Sequence, residues 1–432
     1  MRGLTVAILL VLLSVAPAAC APGWAAAPEA NSFAIRGVRL FDGQRVVARA
    51  NVTIRQGIIT AVGTDVPIPP GLPVIDGRGK TLLPGLIDSH VHVFRGAQED
   101  AVRFGVTTEM DMFTLAPDFA AWRAHRESLS RTTAADTWSA GLGVSAPNGH
   151  PSGTMPGSAG IPTLGSAADA DAFVAARAAE GADFIKIIME DNSFLAPGNS
   201  IPALSIEEVC ASVRAAHRLG KLAIVHASRA RDAQAAVECG AEGLAHLFAD
   251  ELASPELIRL ARDRGIFIQT TLAVIAAGSD SSFAAKLYGP SEIQALLSAG
   301  QRQILQMGFG PVRPRGIDTA LRSARLFHAS GVPLIVGSDA PNPGAPHGLG
   351  VHAELQLLVK AGLSPLQALA AATSLPARLF GLSDRGLIAA GRRADLLLVR
   401  GDPTRNIAAT LDVDRIWKNG FAIDQAATDA AP

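Results

Sequence analysis

Cysteine is scarce in this chain: Cys20, Cys210 and Cys239 are the three among 432 residues. Three cysteines cannot make a disulfide framework, and with no C-x-x-C pair neither a zinc ribbon nor a dithiol redox motif is available. Cys210 and Cys239 fall in helical patterns and read as small buried thiols. Net charge is nearly absent too, since 38 Lys+Arg against 39 Asp+Glu leave −1. No global field exists to draw the chain onto nucleic acid or an acidic membrane surface. The longest apolar run, 4–15, falls short of the roughly 20 residues that span a bilayer. There is neither a G-x-S-x-G elbow nor a Walker loop, and the glycines between 141 and 165 follow no dinucleotide fingerprint. Serine-hydrolase and nucleotide chemistries are therefore set aside. Apolar residues, by contrast, make up 48% of the chain, enough for a large core and too many for intrinsic disorder.

The first residues bear on compartment. Arg2, the apolar run 4–15 and the small residues 16–21 have the layout of a secretory signal peptide, which we place at 1–27. The mature chain is then expected to be secreted or periplasmic. Cys20 offers the alternative of a lipoprotein anchor, against which Pro17 stands where that cleavage motif has an aliphatic residue.

Short Val- and Ile-rich runs at 33–40, 51–54, 57–62 and 74–76, bounded by Gly and Pro, read as small antiparallel strands. A matching set returns at 394–399 and 413–418. The two chain ends, 28–84 and 384–432, are expected to share one β-sandwich domain. Between them, over 85–383, strand-like runs alternate with Ala-rich helical patterns. The strand candidates are 85–93, 107–112, 138–144, 183–189, 222–226, 243–246, 265–271 and 333–337. Eight such units predict a (β/α)8 barrel, an α/β fold. Helices are expected at 168–179, 205–219, 232–239, 255–264, 318–330, 352–361 and 365–379, with Ser205 and Glu208 forming a cap.

In such a barrel chemistry sits at the C-terminal strand ends. The sequence places His90 and His92 on the first strand, Lys186 on the fourth, His226 on the fifth, His246 on the sixth and Asp339 after the eighth. His90-Val91-His92 has the strand period of two, so both imidazoles face the barrel mouth. Each residue alone has an ordinary reading, a hydrogen-bonded core histidine or a turn-capping aspartate. Lys186 resists such a reading, because burying an unpaired ammonium costs several kcal/mol. Together, on otherwise apolar strands, imidazoles and carboxylate point to zinc or a similar divalent ion.

The run from Pro84 to His92, with Phe184-Ile185-Lys186-Ile187, Val225-His226-Ala227, Leu244-Ala245-His246 and Gly337-Ser338-Asp339, resembles the amidohydrolase superfamily. Gly391-Arg392-Arg393-Ala394-Asp395-Leu396 is similar to its returning sandwich segment. The resemblance spans about 33–420 and is strongest to the binuclear branch of Xaa-Pro dipeptidases and imidazolonepropionase-like amidohydrolases. It implies that His90, His92 and Asp339 hold one metal, that His226 and His246 hold a second, and that Lys186, carboxylated by carbon dioxide, bridges two divalent ions, zinc being the expected one. Two ions about 3.5–4 Å apart share a hydroxide. Asp339 is the expected general acid and base. His150, in the loop after the third strand, matches a substrate-binding or catalytic histidine of that branch.

The sequence departs from this pattern in having one tyrosine, Tyr288, so substrate specificity does not carry over. Arg229 and Arg231 after the fifth strand are candidates to clamp a substrate carboxylate. The stretch 272–316, with Phe283, Leu287, Tyr288, Met307 and Phe309, is expected to cover the mouth and to favour an apolar group. The expected activity is hydrolysis of a C–N bond in a small molecule or short peptide, a dipeptide or N-acyl amino acid. The alternatives are a cyclic-amide hydrolase, a deaminase, against which Lys186 argues, and a catalytically silent binding protein. No nucleic-acid partner and no membrane span are expected.

Overall fold

The computed structural model of the chain describes residues 30–155, 157–193, 198–309 and 316–425. The expected signal segment 1–27 and Cys20 lie outside the described residues. Eight short parallel strands follow one another round a barrel: Leu86–Val91, Val106–Asp111, Asp136–Ser139, Ile185–Ile188, Ala223–His226, Gly243–Ala245, Phe267–Gln269 and Leu334–Ile335. Regular pairing joins the first three and the last five. Two bridges complete the ring, Val144 to Ile187 and Val91 to Ala340. The expected (β/α)8 barrel is therefore present. Its third strand ends early because the chain turns at Gly141, whose φ of 60° is left-handed, before Val144 rejoins the ring.

Alternation decides what each strand offers to either side. On the fourth strand Ile185 and Ile187 point outward, into one cluster with Val174, Val209 and Val213 of the helices Ala170–Glu180 and Ile206–Arg218. Phe184 points inward with Ile224, Phe267 and Ile335 of neighbouring strands, and Phe380 stacks on Phe184 and Phe267 at ring distances of 5.5 and 5.6 Å. This apolar plug fills the lower barrel. Lys186 and His226, two residues further on, therefore point inward above it.

Helix starts follow local chemistry. Ser205 Oγ accepts from the Glu208 amide at 3.2 Å, and Glu208 Oε2 accepts from the Ser205 amide at 2.7 Å, which is the expected capping box. The pattern read as one helix over 365–379 is two, Pro365–Ala371 and Ser374–Leu379. Pro376 has no N–H to give and its ring crowds the carbonyl of Ala372, so one continuous helix cannot form.

Cys210 and Cys239 are not separate thiols. They form a disulfide between the helices Ile206–Arg218 and Ala230–Cys239.

The chain ends build one eight-stranded sheet in the order Phe421–Ile423, Val413–Lys418, Leu396–Arg400, Lys80–Pro84, Phe33–Phe41, Val46–Arg55, Ile58–Gly63, with Val74–Asp76 beside Phe33–Phe41. The sheet rolls over far enough for Ile58 to bridge Arg393, enclosing Ile35, Val52, Leu82, Leu396 and Trp417. Its outer face meets the barrel through an apolar layer, Phe41, Leu83, Leu397, Val399 and Ile416 clustering with Phe104 and Val106, and through a buried ionic group. Buried Lys418 lies 2.8 Å from Asp136 and 3.0 Å from Asp395, and Arg385 lies 2.5 Å from Asp136. Burial alone would raise Asp136, but Lys418, His125 and Arg385 outweigh it and hold the carboxyl well below the usual range. Arg393 donates to the carbonyls of Arg126 and Ser128 at 2.8 and 2.7 Å. Two residues of the returning segment, Arg393 and Asp395, thus pin the sheet beneath the barrel. Among the described residues no helix is long and apolar enough to cross a membrane.

Candidate metal centre

The first and eighth strands meet at the barrel mouth. Gly337 makes this approach possible, since a Cβ there would lie 2.6 Å from that of His90. Buried Asp88 accepts from the Ser338 amide at 2.8 Å and from its hydroxyl at 2.5 Å, fixing the turn that carries Asp339. The Asp339 amide donates to the His90 carbonyl at 2.8 Å. His90 and His92 consequently present Nε2 atoms 3.4 and 3.1 Å from Asp339 Oδ1. One ligand atom from each of the three lies within 4.8 Å of the others. A zinc ion with bonds of about 2.0–2.2 Å fits this set after a small contraction.

Beside it, His246 Nε2 faces His226 Nδ1 at 3.0 Å. Lys186, 2% exposed, enters from the fourth strand, and its Nζ has no hydrogen-bond partner. Burial lowers the Lys186 pKa to about 7, with Asp339 and Asp111 opposing that fall. Three of the seven non-glycine residues with left-handed backbone among those described, His246, Thr271 and Asp339, are here. Such strain concentrates where the surrounding structure imposes it for function.

The opposite nitrogen of every imidazole is occupied. His90 Nδ1 lies 3.2 Å from Gln269 Oε1, and His92 Nδ1 lies 3.0 Å from the Phe113 carbonyl. His246 Nδ1 lies 2.9 Å from Thr271 Oγ1, and His226 Nε2 lies 3.2 Å from Glu190 Oε2. These partners leave His90 Nε2, His92 Nε2, His226 Nδ1 and His246 Nε2 directed at the centre. His90 Nε2, fully buried, has no hydrogen-bond partner. Outer partners of this kind set the tautomer and orientation of metal-binding histidines. His90, His92 and Asp339 therefore fit a divalent ion, with His226, His246 and Lys186 converging beside them.

Glu190 and Gln269 were not anticipated from the sequence. Glu190 lies four residues after Lys186, on the same inward parity, and that spacing is the signal that could have found it. Its carboxylate also accepts from Ser228 Oγ and from the Asn192 amide. Burial would raise its pKa, but the His226 and Ser228 hydrogen bonds and the His226 charge prevail and lower it.

His150 lines the mouth with its ring 5.6 Å from that of His226 and its Nδ1 2.8 Å from Thr154 Oγ1. Burial, with His226 beside it, pushes its pKa down to about 3. Three expected substrate residues are elsewhere. Tyr288 is wholly buried, its hydroxyl donating to the Leu349 carbonyl at 3.4 Å, so it packs the core and leaves the mouth to others. Arg229 is held by Asp191 at 3.1 Å and by Ser193, and Arg231 by the same Asp191 at 3.0 Å. Neither guanidinium lines the cavity.

The amidohydrolase family model matches residues 81–422. An imidazolonepropionase from Deinococcus radiodurans is 27% identical over 392 residues, covering 87% of this chain and 91% of that protein. Among solved structures, a Xaa-Pro dipeptidase with bound methionine superposes with a TM-score of 0.71 at 24% identity, covering 91% of this chain and all of that one. Molinate hydrolase superposes with a TM-score of 0.71 at 21% identity, over 94% and 97% of the two chains. At these identities the superpositions show the shared fold.

Proposed function

The chain belongs to the amidohydrolase family, as a hydrolase acting on carbon–nitrogen bonds, and from that premise we propose that it cleaves an amide-type C–N bond at a two-metal centre. His90, His92 and Asp339 would hold one ion, His226 and His246 the other, and carboxylated Lys186 would stand between them. The observation that carries this reading is the way the donor atoms converge: every imidazole is held at one nitrogen by an outer partner and directs the other inward, where His90 Nε2 and Lys186 Nζ have no partner and the remaining nitrogens meet only other members of the set.

Divalent ions held there would polarise a carbonyl and pull the pKa of a water toward neutrality. Lys186 would supply the group between them. Its amine, partly neutral near pH 7, forms an N–C bond with carbon dioxide while a C=O electron pair moves to oxygen and the ammonium proton leaves to solvent. The product is an anionic carbamate with two oxygens, which suits a place between cations. Asp339, at the open end of the ring, takes the proton released as water adds to the carbonyl and returns it to the departing nitrogen. His150, held at Nδ1, offers its other nitrogen to the substrate from the wall beside His226. The plug of Phe184, Phe267 and Phe380 closes the floor to water.

A second reading, hydrolytic opening of a cyclic amide, is favoured by the long match to imidazolonepropionase. A library of linear amides, carbamates, ureas and lactams, run with metal-stripped and zinc-restored protein, tests both. Turnover that returns with zinc supports the proposal, and undiminished turnover after complete metal removal refutes it. We also read the chain as exported. The signal-like first residues and the Cys210–Cys239 disulfide support this, since such bonds persist in oxidising compartments. The mass of the mature N-terminus, free or lipidated at Cys20, is the check.

A further inference from the structure

Above the metal residues lies a cavity of about 410 Å³, of the size that takes a small molecule. Its charge is confined to the floor. Among the described residues that line it, and imidazoles apart, Lys186 has the only cationic type of side chain and Asp339 the only carboxylate. The walls are mostly apolar, with Phe113, Leu115, Met155, Leu247 and Ile275, and their polar groups, Ser228, Thr271 and Asn342, carry no charge. The rim is apolar as well. Phe94 and Phe309, both on the cavity, are 43% and 45% exposed, and they are the two phenylalanines among the large apolar side chains left open to solvent. Paired exposed aromatics at one mouth mark a surface meant to be covered by a ligand.

We infer that the substrate is uncharged on both sides of its scissile C–N bond: an amide, carbamate or urea with an aryl or alkyl group on each side. This rests on the reading of the centre as a C–N hydrolase. The scissile carbonyl occupies the floor, so any group a few bonds away meets the walls. A carboxylate there leaves water and, among the described lining residues, meets no guanidinium or ammonium above the floor, only the His150 ring and the uncharged Ser228, Thr271 and Asn342, which is costly. Arg229 and Arg231 do not supply such a cation, because Asp191 holds both. An ammonium fares no better, as Asp339 is engaged with His90 and His92. A phenyl or alkyl group gains from the same walls by leaving water. The dipeptides and N-acyl amino acids expected from the sequence carry a carboxylate next to the scissile nitrogen and are disfavoured.

The test uses a matched pair, N-phenylacetylaniline and 4-(phenylacetylamino)benzoate, which differ by one carboxylate. Turnover is measured with the zinc-loaded full chain, and binding to the metal-stripped chain by calorimetry. The neutral anilide should lead by about 100-fold or more in kcat/KM and should also bind the stripped protein more tightly. A carboxylate compound that binds and reacts at parity overturns the inference. If the neutral anilide binds selectively but is not cleaved, the selectivity of the cavity stands and the hydrolytic reading falls. Phe94→Arg, which puts a cation on the rim and touches no metal residue, should narrow the gap about tenfold or more by favouring the carboxylate. An unchanged gap in that variant would mean that uncharged walls are not the source of discrimination.

Discussion

Replacing Glu190 by Gln should loosen one of the two ions and leave the other in place. Glu190 Oε2 is 3.2 Å from His226 Nε2 and also receives the Ser228 hydroxyl, while Oε1 is 2.5 Å from the Asn192 amide. Gln has the same shape and can still turn its oxygen to His226, which leaves its NH2 facing the Asn192 amide, so the change removes the charge and that one hydrogen bond. A carboxylate behind a metal-bound imidazole raises its basicity, and losing such a partner costs about 10- to 100-fold in metal affinity, or about 1.4–2.7 kcal/mol. His226 belongs with His246, and the His90–His92–Asp339 set has its own partners in Gln269 and the Phe113 carbonyl. Metal content per chain, followed against rising chelator concentration, should therefore show one ion leaving at about 10- to 100-fold lower chelator in Glu190→Gln and the other at the wild-type concentration. Glu190→Ala should shift the same step further, since it leaves His226 Nε2 without that carboxylate. A thermal melt of the metal-stripped variants separates this from unfolding. Identical chelator curves for wild type and variant would refute the role of Glu190. An equal loss of both ions would refute the division of the ligands into two sets.

Asp339→Asn should retain most metal but lose about 100-fold or more in kcat with less change in KM, read from steady-state kinetics beside metal analysis. Lys186→Ala should lose metal and most turnover, and added formate or acetate should restore a fraction by standing in for the carbamate. Near-normal metal content without either would remove the bridge. Cys210→Ala with Cys239→Ala opens a loop of 29 residues, for which chain entropy gives about 3.6 kcal/mol. Denaturant midpoints with and without reductant check it. Glu354 is fully buried against Thr270 and the Ala273 amide, and burial pushes its pKa up to about 8. The folded state therefore holds a proton that the unfolded state releases near pH 4.5. The resulting stability is fully present below about pH 4.5 and is lost as pH rises through about 8. Glu354→Gln should flatten that slope in melting temperatures taken across the range.

The eight strands and the six inward polar residues were legible because each polar group interrupts an apolar run at the strand period. His90, His92 and Lys186 can be placed by parity alone. The outer partners were not legible in the same way. Gln269 reaches His90 across the barrel from the seventh strand, and no local pattern encodes that register. The disulfide depended on how two neighbouring helices align, which spacing in the chain leaves open. Arg229 was misplaced because its partner Asp191 sits on the preceding loop, 38 residues earlier. Tyr288 was misplaced because it closes the short helix Phe283–Tyr288 on the face it shares with buried Ala284, and the irregular pattern of that stretch does not show which face packs inward. The break at Pro376, in contrast, is written in the sequence by the proline itself.

The central claim is that paired ions held by these six residues are required for C–N hydrolysis. Its most direct test is turnover measured against ions per chain, as metal-stripped protein is titrated with zinc in the presence of bicarbonate. Turnover should be absent in the stripped protein and reach its maximum at two ions per chain. Full turnover without metal, or a maximum already reached at one ion per chain, would contradict it.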